Sequence, residues 1–224
     1  MVDRMAYGDG TGALKREEFI PLFASPLMVH KWPNADELNA KLRHVILERE
    51  RAMPGRNVSN VGGWQSDRDF RRWSGEAGKV CVDQVTAMVN HATSKVHGPR
   101  RWKPSVTWGI DAWANVNRQG NYNIPHSHPN STWSCVYYVD TGDADMNNEK
   151  SGVITFLNPN SASSVSFFPE TVGDKFNLWP EPGTMLVFPS YLVHLVHPYT
   201  GKRPRVSIAL NFWPLRESAI PSPS

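Results

Sequence analysis

The apolar residues of this chain keep a helical period up to residue 97 and lose it from Val106 onward. From Glu76 to His97 the set Val80, Cys81, Val85, Met88, Val89, Ala92 and Val96 recurs at helical spacing, which predicts a helix with one buried face. Gly98-Pro99 ends it, because glycine suits the left-handed turn after a helix and proline cannot continue one. Short β-rich runs follow at 106–116, 131–139, 152–157, 163–168, 184–188 and 205–213, separated by Gly, Pro, Asn and Asp. Helices first and strands after predict a mostly β protein, an antiparallel sandwich or barrel with helices packed outside it.

The remaining half is consistent with that plan. "FIPLFASPLMVHKW" (19–32) is apolar and punctuated by proline, which suits an edge strand. Asn34 is the expected cap of a first helix with Asp36 and Glu37 in its first turn, Leu38, Leu42, Val45 and Ile46 as its apolar stripe, and Met53-Pro54 as its stop. A loop, "GRNVSNVGGWQSDRD", comes next. At 224 residues and 25.2 kDa, the chain reads as a single domain, 1–224. Its parts are a loose lead-in (1–17), a strand with supporting helices (18–104), the β core (105–214) and a tail (215–224).

Composition excludes several classes. A net charge of +3 with scattered basic residues does not imply a nucleic-acid partner, and the Arg100, Arg101, Lys103 cluster reads as a solvated loop. No run of eighteen apolar residues and no signal-like N-terminus occur, so the expectation is a cytoplasmic protein without a membrane partner. The sequons at Asn57 and Asn130 are then chance matches, and Cys81 and Cys135 are free buried thiols. Asp143, Asp145 and Asn147 alternate as in a calcium loop, but Asn148 and Ile154 stand where Gly and Glu are required. "GEAGKV" lacks the spacing of a phosphate loop. Trp64, Trp73, Trp133 and Trp179 read as core residues rather than pocket walls.

One motif carries chemistry. "NIPHSHPNSTWSCVYYVD" (123–140) sets His126 and His128 two apart, and in extended backbone i and i+2 share a face, so both imidazoles can reach one metal ion. A third ligand must come from elsewhere; His194 and His197, after the strand ending at Pro189, are the candidates. The final strand alternates: Arg205, Ser207, Ala209 and Asn211 on one face, Val206, Ile208, Leu210 and Phe212 on the other. The apolar face suits the helices. The polar face, led by a guanidinium that matches a carboxylate, must meet something wet or anionic.

"HSH", "SCVYYV", "GTMLVFPS", His194 and Arg205-x-Ser207, in that order over about 106–213, resemble the Fe(II)- and 2-oxoglutarate-dependent dioxygenases. The "GGW" loop resembles a bacterial and phage branch of that superfamily. The resemblance implies a double-stranded β-helix (jelly-roll, cupin-like) barrel buttressed by N-terminal helices. It implies Fe(II), 2-oxoglutarate and O2 as cofactors, and the oxidation, most simply hydroxylation, of a C–H bond in a small molecule or an amino-acid or peptide substrate. Carried over by position, His126 and His194 are the outer metal ligands. Arg205 and Ser207 bind the far carboxylate of 2-oxoglutarate with help from Tyr138, and Asn115 and Asn117 lie toward its near end. The chain departs from the family where His128 replaces the usual Asp or Glu. As a ligand, His128 leaves the metal three neutral imidazoles, and His197 becomes either a residue that backs the ligands or, as the favoured reading, an exposed loop histidine. The alternatives are a three-histidine cupin-like dioxygenase that needs no 2-oxoglutarate, or a metal- or ligand-binding barrel without turnover.

Overall fold

The computed structural model of the chain describes residues 24–97, 106–144, 148–160 and 173–215. The lead-in, the Gly98-Pro99 stop, the basic cluster at 100–103, the 163–168 run, Asp145, Asn147 and the tail beyond Leu215 lie outside the described residues.

Helix α1 spans Asp36–Ala52 and starts on Ala35, with no side-chain cap. Asn34 lies one position too early to cap it and instead takes the left-handed conformation (φ 56), which asparagine tolerates better than most residues. Met53, preceding Pro54, is extended, so the helix stops there as expected. Asn39, Leu42 and Ile46 are buried, with Leu38 and Val45 packed beside them. A short helix α2 (Phe70–Trp73) leads into α3 (Gly75–His97), which buries Cys81, Val82, Val85, Met88, Val89 and Ala92. Val80 and Val96, expected on that face, are exposed. Val82 takes the place of Val80 because it falls three before Val85 and seven before Val89. Val96, in the last turn, borders a surface groove beside Met28 and Val29.

Eleven strands among the described residues form two antiparallel sheets: β1 (Met28–Lys31), β2 (Asn60–Val61), β3 (Trp64–Gln65), β4 (Trp108–Asn117), β5 (Tyr122–His126), β6 (Trp133–Asp140), β7 (Ile154–Leu157), β8 (Lys175–Leu178), β9 (Thr184–Pro189), β10 (His194–Val196) and β11 (Arg205–Pro214). The first sheet runs β1-β9-β6-β11-β4-β3, with β1 at the edge as expected, and the second runs β2-β5-β10-β7-β8. On the first sheet, alternation assigns each residue to one of two jobs. Ala112, Ala114, Val116, Cys135, Tyr137, Val139, Met185, Val187, Val206, Ile208, Leu210 and Phe212 join the helices in the larger core. Tyr138, Leu186 and Phe188 face the second sheet and pack with its Ile154 and Phe156. Polar anchors fix the helices in place: Tyr137 donates to Asn39 Oδ1 (2.7 Å), and Trp133 Nε1 donates to Thr93 Oγ1 (3.0 Å).

The result is a jelly-roll buttressed by helices, as the resemblance implied, but two facing sheets rather than a closed barrel. The short β2–turn–β3 segment joins them: β2 pairs with β5 of the second sheet, and β3 pairs with β4 of the first. Gly62 (φ 74) makes that reversal, and a Cβ on Gly63 would come 3.2 Å from the Val116 carbonyl, so the turn is built for glycine. Asn60 fastens it by donating to the carbonyls of Arg56 and Gly63.

Candidate metal and cosubstrate site

His126 ends β5 and His194 opens β10, and the two are register partners across the second sheet. His128 lies in the loop just beyond β5, so its direction comes from that loop and not from strand alternation; its backbone N–H donates to the Ser190 carbonyl (2.9 Å). The three rings converge, with centroids 4.4 Å (126 to 194), 5.0 Å (126 to 128) and 5.2 Å (128 to 194) apart. One ring nitrogen from each lies within 4.8 Å of the others, an arrangement that can hold a metal ion. Nδ1 of His126 meets the Ile124 carbonyl (2.7 Å) and Nδ1 of His194 meets the Leu192 carbonyl (3.0 Å). A carbonyl only accepts, so both Nδ1 atoms carry the proton and both Nε2 atoms present a lone pair. Burial, reinforced by the neighbouring imidazoles, pushes His128 down to about 3 and His194 down to about 4, and burial lowers His126 as well. All three are neutral at pH 7, the form a metal requires.

His197 does not join them. It is half-buried, with Nε2 2.9 Å from Thr155 Oγ1, and so is tied into the second sheet instead of standing exposed as expected.

The polar face of β11 continues the cavity. Arg205, Ser207 and Ala209 line it together with Tyr138, Asn115, Asn123 and the three histidines. Arg205 is 3% exposed and has no acidic partner among the described residues; its guanidinium lies 5.1 Å from the centre of the Tyr138 ring. Burial lowers its affinity for a proton, yet a guanidinium remains charged. The Tyr138 hydroxyl is buried beside the Arg205 guanidinium with no acceptor of its own, and burial pushes it up to about 12, so it is a neutral donor. A buried cation without a counter-ion beside an unspent hydroxyl is costly unless an anion completes it. A carboxylate fits both. Gly152 (φ 66) makes room for the arginine, since a Cβ there would come 3.3 Å from its Nε. Asn117, opposite Arg205 on β4, is buried outside the cavity lining, with its amide nitrogen unpartnered.

Outside the histidines opens a cleft of about 700 Å³, walled by Trp113, Trp213, Ile124 and Val58 and edged by Gln65, Asn211 and the Arg68–Asp111 ion pair (3.0 Å). Sequence reasoning missed this cleft. Trp113 and Asp111 share the β4 face of Asn115, so alternation was a usable signal for them. Ser59, Gln65 and Arg68 arrive by a long-range pairing that no local pattern encodes. Of the tryptophans assigned to the core, Trp133 is buried and Trp64 and Trp73 pack against it, whereas Trp179 is 57% exposed. Cys81 and Cys135 are free and buried, as expected. No described helix is long and apolar enough to cross a membrane.

Residues 111–211 match a family model described as "Putative 2OG-Fe(II) oxygenase". No curated protein matches the chain by sequence. Among solved structures, a Pseudomonas putida prolyl-4-hydroxylase is similar at 16% identity over 85% of this chain and 93% of its own, with a TM-score of 0.59. A Trichoplax adhaerens prolyl hydroxylase, solved with a hypoxia inducible factor peptide fragment, is similar at 16% identity over 84% and 83%, with a TM-score of 0.58. The non-haem α-ketoglutarate-dependent epimerase SnoN, from nogalamycin biosynthesis, follows at 10% identity over 85% and 78%, with a TM-score of 0.57. At these identities the neighbours speak to the fold, and the family match speaks to the β core. The jelly-roll core at 111–211 is thus the part of the chain that is similar to the 2OG-Fe(II) oxygenases, a family whose cofactors are Fe(II), 2-oxoglutarate and O2, and the neighbours share its fold.

Proposed function

We propose that the protein hydroxylates a C–H bond of a small molecule or of an amino-acid or peptide substrate bound in the outer cleft, and that the whole chain, 1–224, serves as one catalytic domain. The observation that carries this reading is the buried Arg205, without an acidic partner among the described residues, in one cavity with three neutral imidazoles. His126, His128 and His194 hold the metal. Arg205 and Ser207 grip the far carboxylate of the cosubstrate, Tyr138 donates to the same group, and Asn115 lies toward the near end. Asn117, the register partner of Arg205 on β4, lies outside the cavity lining and is given no part in cosubstrate binding. When bound, Fe(II) and 2-oxoglutarate supply the oxygen activation that oxidises the substrate while succinate and CO2 are released.

His128 in place of a carboxylate leaves the metal site without a protein anion, which favours a dianionic cosubstrate and weakens metal retention. Trp113 and Trp213 offer flat apolar walls for the substrate, and because Arg68 and Asp111 offset each other, the cleft suits a substrate without large net charge. Anaerobic Fe(II) titration with and without 2-oxoglutarate tests the reading. A visible charge-transfer band that needs both components supports it, as does succinate release, once O2 is admitted, that depends on His194. A cofactor-independent spectrum and no succinate would reject it.

A further inference from the structure

Ser59, on the loop entering β2, lies outside the 111–211 core and lines both the inner cavity and the outer cleft. Its Oγ is 3.3 Å from Nε2 of His126. Nδ1 of that ring already donates to Ile124, so Nε2 is the metal-facing atom and, without an ion, the atom to which the Ser59 hydroxyl donates. Two donors bound to one metal by bonds of about 2.1 Å are roughly 3.0 to 3.4 Å apart at angles between octahedral and tetrahedral. Ser59 Oγ stands at that separation from a histidine that the proposed function makes a ligand.

The hydroxyl is held in place. Asn123 Nδ2 donates to it (3.4 Å), the Ser59 carbonyl accepts from Ile124 N (3.0 Å), and the pairing of β2 with β5 fixes the chain just beyond it. The three imidazoles contribute no oxygen, and the oxygen-preferring side of iron chemistry is otherwise unserved by protein.

We propose that Ser59 is an oxygen donor to the metal of the three-histidine site, supplied by the loop entering β2 and not by the β core. This rests on the reading of the histidines as metal ligands. Co(II) is the probe, added to the full-length protein without 2-oxoglutarate. In Ser59→Cys a thiol replaces the hydroxyl, and a near-ultraviolet sulfur-to-cobalt charge-transfer band absent from the wild type is expected. Cys135 lines the cavity in both proteins, so the wild-type spectrum is the control. Ser59→Ala, the smaller change, is expected to bind Co(II) about tenfold more weakly and to alter the cobalt visible bands. A wild type that shows cobalt bands, lost in His194→Ala, while Ser59→Cys gives no new band and Ser59→Ala binds as wild type, overturns the assignment of Ser59 and leaves the metal site standing. A wild type that binds no Co(II) overturns both.

Discussion

Replacing Arg205 by methionine should make the cosubstrate-free protein no less stable while abolishing its response to 2-oxoglutarate. The side chain is 3% exposed and lacks an acidic partner among the described residues, whereas Arg43 and Arg203 share Asp140, and Arg118 has Glu50. Burying an uncompensated ion costs several kcal/mol even after relaxation. The Tyr138 ring, 5.1 Å away, returns about 2 kcal/mol of cation–π attraction at a desolvated site. A flexible apolar side chain of similar length avoids the first and forgoes the second, so Arg205→Met should lie between neutral and about 3 kcal/mol more stable. The carboxylate of 2-oxoglutarate reverses the comparison. Charge-assisted hydrogen bonds to a guanidinium contribute about 1.5 to 3 kcal/mol each, so losing a bidentate pair should weaken cosubstrate binding by roughly a hundredfold or more. At a hundred times its dissociation constant, 2-oxoglutarate stabilises the wild type by about 2.7 kcal/mol, and the variant should show almost none of this. Urea unfolding under anaerobic conditions with Fe(II), with and without 2-oxoglutarate, measures both effects if the slope with denaturant is unchanged. A variant more than about 2 kcal/mol less stable that keeps its full response to 2-oxoglutarate would refute the reasoning and make Arg205 a structural residue.

Tyr138→Phe should raise the 2-oxoglutarate requirement about fivefold to tenfold without loss of stability, because the missing hydroxyl donates to no protein acceptor; steady-state succinate release checks it. His194→Ala should abolish Fe(II)-dependent succinate release while circular dichroism remains native. For the metal-free protein, acid sensitivity follows from the depressed imidazoles: the unfolded chain takes up protons below about pH 6.5 that native His128 and His194 refuse until about 3 and about 4. Stability is therefore full above about pH 6.5 and falls as the pH drops toward 4, by up to about 1.4 kcal/mol per pH unit for each imidazole. His128→Asn should flatten that slope by one imidazole's share in urea midpoints taken across the range. Leu42→Ala, in the fully buried core beneath α1, should cost about 2 to 5 kcal/mol in urea unfolding and leave the 2-oxoglutarate requirement of the folded fraction unchanged.

Strand alternation made much of the inner site legible. Arg205, Ser207 and Tyr138 face the cavity because Val206, Ile208 and Tyr137 must face the helices. His126 and His194 needed the family order to be linked, since their pairing spans two strands far apart in sequence. The same spacing argument gave the wrong reason for His128, whose ring is aimed by a loop tied to Ser190. It could not place His197, because the contact with Thr155 is non-local. The N-terminal half was legible as helices but not as site. Nothing in "GRNVSNVGGWQSDRD" tells a reader that two-residue strands will cross from one sheet to the other.

That crossing divides the labour within the chain. In the proposed function the three histidines and the groups for 2-oxoglutarate come from 111–211, while Ser59 and much of the cleft rim, Val58, Gln65 and Arg68, are carried on a short glycine-jointed strap clipped to both halves of the jelly-roll. Such a strap is interchangeable in principle. Transplanting residues 56–68 between relatives with Ser59 retained should exchange substrate preference while the oxidative engine beneath runs unaltered.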